Sequence, residues 1–125
     1  MEISRIIEGR GITISAKYIG EDLNILCCGG DRAHIGAVSL ATSCHRGHKT
    51  QASVSTITVL AHRDDELSCV LAERFCKALG CTVLVACGIH YDQISPEQIQ
   101  TVVKETLCMG GEILQGLMGY QLDKE

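Results

Sequence analysis

Cys28-Gly29-Gly30-Asp31-Arg32-Ala33-His34-Ile35-Gly36 is the stretch around which the rest of the chain is organised. An apolar run, Leu23 to Cys28, leads into it, and a second, Ile35 to Ala41, leads out. Between the runs stand paired glycines, an acid, a base and a histidine. Gly29-Gly30 has two readings. In one, the pair supplies the dihedrals of a strand-to-strand turn and Asp31 caps the bend. In the other, it lets the backbone approach a ligand closely, and successive N–H groups form an anion-binding nest.

Upstream, Ile12, Ile14, Ala16 and Tyr18 alternate with Thr13, Ser15 and Lys17, the period of a half-buried strand. Gly20-Glu21-Asp22 is a turn, and Leu23 to Cys28 returns as a more buried strand, giving a hairpin. Residues 2 to 10 are ambiguous; Ile3, Ile6 and Ile7 are the material for a short edge strand. Downstream, Ile35 to Thr42 reads as a third strand, Ser43 to Gln51 as a polar, mobile connection, and Ala52 to Ala61 as a fourth strand rich in Val, Ile and Thr.

His62-Arg63-Asp64-Asp65-Glu66 opens a helix, its acids complementing the helix dipole. Leu67, Val70, Leu71, Phe75, Ala78 and Leu79 form the apolar stripe, and Gly80 is placed as a C-cap. Cys81 to Ile89 is almost wholly apolar and belongs in the sheet interior. Ser95-Pro96-Glu97-Gln98 is a helix start, with Ser as N-cap, Pro first and Gln three residues after the cap. The stripe from Ile99 to Leu117 keeps phase across Gly110-Gly111, which predicts one unbroken helix. The order ββββ-α-β-α predicts a single α+β domain over residues 1–125. Its sheet is expected to be an antiparallel meander of about five to six strands covered by two helices.

The composition narrows the function classes. Apolar residues make up 46% and charged residues 21% of the 125, with one Phe, three Tyr and no Trp, so the core must be aliphatic. A net charge of −4 without a basic cluster argues against nucleic acid or an anionic membrane as partner. The N-terminus lacks a signal-peptide apolar region. The longest stretch without Asp, Glu, Lys or Arg, Ala78 to Tyr91, is fourteen residues and too short to span a bilayer. A cytoplasmic protein is expected, with its eight cysteines as reduced thiols, since no C-x-x-C pair occurs.

Two constellations invite chemistry. Cys44-His45-Arg46-Gly47-His48 has zinc-ligand types, but closure needs a fourth ligand from Cys27, Cys28 or His62 that no spacing supplies. The alternative is a solvated loop, and no metal is expected. Cys28, His34 and Asp31 are nucleophile, base and orienter by type, yet Cys28 ends an apolar strand and no oxyanion arrangement is visible. No catalytic residue is assigned. His62 and His90 each end a strand; if those strands are parallel neighbours, both imidazoles share one sheet edge. Acids at both helix starts, Asp64-Asp65-Glu66 and Glu97, disfavour phosphate there and leave Gly29-Gly30 and Arg32 to receive one.

Three segments carry a resemblance: Gly29 to Val38, Ala61-His62-Arg63-Asp64-Asp65-Glu66-Leu67, and Ala86-Cys87-Gly88-Ile89-His90. Together they resemble the small prenylated-flavin chaperone domains of hydroxyarylic-acid (gallate-type) decarboxylase systems, which are similar in fold to the fourth proteasome assembly chaperone. That family has a Gly-Gly-Asp-x-Pro-His-Ile-Gly segment, a Gly-His-x-Asp-Asp segment and a Gly-Ile-His segment. Ala33 stands here for the proline and Ala61 for the first glycine of the second. The resemblance spans roughly Gly11 to Leu117 and implies a non-enzymatic chaperone that holds prenylated FMN, or FMN, for a flavin-dependent aromatic-acid decarboxylase. It implies Gly29, Gly30, Asp31, His34, His62, Asp64 and His90 as ligand-facing residues and a homodimer; with Arg32, Ile35 and Gly36 of the same loop these make the cofactor-binding candidates. The competing expectation is a cofactor-free interaction module of the proteasome-chaperone type.

Overall fold

The alternation read over residues 10 to 30 closes into a meander. β1 (Glu2–Ile7), β2 (Arg10–Ile19) and β3 (Asp22–Gly30) are successive antiparallel neighbours. The computed structural model describes residues 1–59 and 64–124, without the side chains of Arg46 and residues 121–124. β4 (Ala37–Arg46) and β5 (Lys49–Thr58) make a second hairpin, α1 spans Asp65–Leu79, β6 spans Val83–His90, and α2 spans Pro96–Lys124. The α+β architecture with two helices is as expected, but the sheet is mixed. Its order is β1-β2-β3-β6-β4-β5, with β6 parallel to β3 and antiparallel to β4. The near-continuous apolar run of β6 suits this central place, with Val83, Val85 and Cys87 buried against the helices and Leu84 and Ala86 half-buried on the other face.

Ser43 to Gln51, expected as a mobile connection, is instead the end of a regular hairpin. Ser43 pairs with Ala52, Cys44 with Gln51 and Arg46 with Lys49, around Gly47 at φ 67. β4 pairs with β6 only from Ala37 to Ala41, so the outer half of this hairpin extends beyond its neighbour. Cys44 and His45 are exposed there, and exposure on both faces erases the alternation by which a strand is read.

Both helices cover one face. Ile12, Ile14, Leu23, Ile25, Cys27, Val83, Val85 and Cys87 from the strands meet Leu67, Leu71, Phe75, Val102, Met109 and Ile113 from the helices in one buried cluster. Ser68 and Cys76 are buried on α1 as well, while Ala78, placed on its stripe, is exposed. Ser68 Oγ lies 2.8 Å from Ser39 Oγ, which lies 2.8 Å from Thr56 Oγ1, a polar chain, buried at Ser68 and Ser39 and exposed at Thr56, that joins the start of α1 to β4 and β5. Gly80 is the left-handed C-cap at φ 68. The capping box at Ser95 forms, with Ser95 N–H donating to Gln98 Oε1 and Gln98 N–H to Ser95 Oγ. α2 passes Gly110-Gly111 unbroken. Among the described residues, no helix is long and apolar enough to cross a membrane.

Among the described residues, the opposite face carries no helix. Register places Leu26, Ala86, Val38 and Ile57 in one row across β3, β6, β4 and β5, with Leu84 and Leu40 in the next. Leu26 is 44%, Leu40 42% and Ile57 76% exposed.

Candidate functional site

The candidate site lies where β3 and β6, parallel and adjacent, both end. Chain leaving β3 must pass the end of β6 to reach β4 on its far side. Residues 31–36 make that passage, and glycines allow it. A Cβ at Gly88 would lie 1.6 Å from the His34 carbonyl oxygen, at Gly30 2.2 Å from the His90 oxygen, and at Gly29 2.2 Å from the Gly11 oxygen. Gly29 and Gly30 also take φ 151 and 83, values that favour glycine. Of the two readings of this pair, the close approach is to the chain's own backbone.

The loop is stitched down by its own amides. Asp31 N–H donates to the His90 carbonyl at 2.6 Å, Arg32 N–H to the same oxygen at 3.4 Å, and Gly36 N–H to the Cys87 carbonyl at 2.8 Å. Asp31 is a staple as well. Its carboxylate accepts from Arg10 Nε and from Asp92 N–H, joining the loop to β2 and to the segment after β6. The Arg10 hydrogen bond is the main cause holding the Asp31 carboxyl below its ordinary range, and the same bond raises Arg10. Sequence reading missed Arg10; an isolated arginine after a turn carries no signal of a partner 21 positions away.

Two of the three candidate histidines come together. The His34 and His90 rings meet edge to face with centroids 6.4 Å apart. His34, with its side chain only 14% exposed, places Nε2 3.3 Å from Asp64 Oδ2 and Nδ1 3.3 Å from the Arg32 carbonyl. His90 Nε2 lies 2.9 Å from Asp92 Oδ1. His62 lies outside the described residues. The strand pairing imagined for it does not occur, because β4 separates β5 from β6. Arg32 is exposed and its guanidinium is unpaired among the described residues. Ile35 and Val59, 61% and 46% exposed, stand on either side of Gly36, whose carbonyl accepts the Val59 N–H.

The Cys28-His34-Asp31 constellation does not assemble. Asp31 serves Arg10 and Asp92, His34 stands against Asp64, and burial pushes the Cys28 thiol up, away from its nucleophilic form. Cys27 and Cys87 sit side by side on β3 and β6, and the bond to Cys27, with burial, drives the Cys87 thiol strongly upward. Among the described residues, no three His, Cys, Asp or Glu side chains are grouped as metal ligands.

Comparison with known proteins adds a family. Residues 7–118 match the family described as the prenylated flavin chaperone LpdD-like domain. The chain belongs to the LpdD-like family. A relative, Protein LpdD of Lactiplantibacillus plantarum, is 28% identical over 116 residues, covering 87% of this chain and 79% of that protein. The crossing loop, His34, Asp64 and the end of β6 all fall within the LpdD-like match.

Proposed function

We propose that this chain is a non-enzymatic cytosolic carrier that holds prenylated flavin mononucleotide at the crossing loop and hands it to an aromatic-acid decarboxylase. The observation that carries the reading is the convergence of His34, His90 and Arg32 on the edge where β3 and β6 end, within a chain of prenylated-flavin-chaperone family. The donor set suits a phosphorylated flavin. Arg32 supplies an unpaired guanidinium for phosphate, the imidazoles face polar ring or ribitol atoms, and Ile35 and Val59 offer apolar cover in place of the aromatic residues this chain lacks. The amides of Asp31, Arg32 and Gly36 already serve backbone carbonyls and are not offered to a phosphate, which leaves Arg32 as its charged partner. Bound flavin would supply its own redox and adduct chemistry to the decarboxylase; the carrier's part is to bind, orient and release it.

Calorimetry with flavin mononucleotide, its prenylated form and riboflavin tests this. The reading requires phosphate-bearing ligands to bind more tightly than riboflavin, and absence of binding by all three overturns it. A second reading, an interaction module without cofactor, draws on the uncovered row Leu26, Ala86, Val38 and Ile57. We place a second copy of the chain on that face in either reading.

A further inference from the structure

Resting on the carrier reading, we infer that the outer edge of β5 docks the decarboxylase, which adds an extended segment of its own there as a further strand of the sheet. β5 is the last strand of the order β1-β2-β3-β6-β4-β5, and among the described residues no strand pairs with its outer side. Its register with β4 runs one to one from Lys49–Arg46 to Thr58–Ala37, without a bulge. Just past it, the Val59 N–H donates to the Gly36 carbonyl at 2.7 Å, so Val59 serves the inner ladder. Antiparallel pairing alternates, and the odd-numbered residues of β5 therefore bond to β4. The N–H and C=O groups of Thr50, Ala52, Val54, Thr56 and Thr58 point outward, a donor and an acceptor from each. Exposed edges are ordinarily blunted by shortness, charge or proline. β1, the opposite edge, follows that practice: it has six residues, carries Glu2 and Arg5, and Arg5 is bridged to Glu112 at 2.7 Å. β5 does not. It has ten residues, no proline and one charge, Lys49. α1 packs beneath it, with Ala52 and Val54 set against the core, so the open edge is firmly held.

The place of this edge says what it receives. It runs up to Val59, bonded to Gly36 of the crossing loop, so a strand added there ends beside the flavin. Hand-over needs the accepting enzyme at that point, and backbone pairing holds it there with little demand on side chains. The chemistry of the segment follows from its neighbours. Half-buried Ala52 and Val54 on the α1 side suit apolar residues, and exposed Gln51, Ser53 and Ser55 on the other side suit polar ones. Lys49, at the end away from the flavin, suits an acid.

The test is residue-resolved amide hydrogen exchange of the nitrogen-labelled chain, alone and with cofactor-free aromatic-acid decarboxylases that use prenylated flavin. Alone, the Gln51, Ser53, Ser55 and Ile57 amides should be protected, and those of Thr50, Ala52, Val54, Thr56 and Thr58 should exchange freely. The enzyme should slow the outer set about tenfold or more and leave the inner set unchanged. Val54→Pro removes one outward N–H and spares the inner ladder, the place in a sheet where proline is tolerated. Circular dichroism and flavin mononucleotide affinity should hold, while flavin transfer to the enzyme slows about tenfold, the equivalent of one hydrogen bond. Outer amides already protected in the free chain, no slowing by any such enzyme, or unaltered transfer from Val54→Pro overturns the inference. Should Val54→Pro not fold, the exchange pattern of the unaltered chain still decides. Slowing of the outer amides in a chain that binds no flavin supports the docking edge and overturns the carrier reading alone. Flavin transfer with the outer amides unslowed overturns the docking edge alone.

Discussion

Arg32 and Gly88 separate ligand contact from loop placement. The Arg32 guanidinium makes no hydrogen bond or ion pair among the described residues, so its removal should spare the fold. Arg32→Ala should weaken flavin mononucleotide binding about tenfold to a hundredfold, for a charge-assisted bond of roughly 1.5–3 kcal/mol. Riboflavin binding should be unchanged, and equal losses for both ligands in calorimetry would remove the phosphate role. Gly88→Ala sets its methyl against the His34 carbonyl, a contact of 1.6 Å that backbone cannot yield cheaply. It should lower stability by about 1–3 kcal/mol in urea titration, because the crossing loop must lift. An unchanged midpoint would mean that the loop does not press on β6. That pressure was invisible in the sequence, where Gly88 is one more glycine in an apolar strand. The pairing of His34 with His90 was equally hidden, since 55 intervening residues separate rings that only the strand order brings together.

α2 puts two adjacent glycines in opposite roles. A Cβ at Gly110 would lie 2.6 Å from Leu71 Cδ2 on α1, whereas one at Gly111 would meet nothing within 4 Å. Gly110→Leu should therefore destabilise by about 1–3 kcal/mol through overpacking. Gly111→Ala should stabilise by up to about 1 kcal/mol, the difference in helix propensity. Thermal unfolding of the two variants checks both signs; stabilisation by Gly110→Leu would show that the helices are not in close contact. This element was legible beforehand because its apolar stripe, Ile99 to Leu117, stays in phase over about five turns and its capping box is local. The first two hairpin strands were legible for the same reason, a period that one segment states by itself. The outer half of the β4–β5 hairpin was not, because it buries neither face. The place of β6 was not either: an apolar run declares a central strand without naming its neighbours.

At the scale of the molecule, the uncovered face is the surface to probe. Leu26, Leu40 and Ile57 are exposed apolar side chains on that face, and a contiguous apolar patch marks a contact surface. The chain should sediment as a dimer at tens of micromolar, which corresponds to about 6–7 kcal/mol of association. Leu26→Glu should yield a folded monomer, since the side chain is 44% exposed; a monomeric unaltered chain in the same run would refute the pairing. The central position of β6 has a further consequence, for the order of events during synthesis. β1 to β3 and β4 to β5 can each close as local hairpins, but the two halves share no ladder until Val83 to His90 arrives to bridge them. Until then β3 and β4 both present raw edges to any passing strand. Joining them requires contacts of long sequence separation, which fold slowly. A nascent chain released before β6 would carry two half-sheets with sticky edges, and quality control in the cell would meet it as an aggregation-prone fragment rather than as a smaller folded domain.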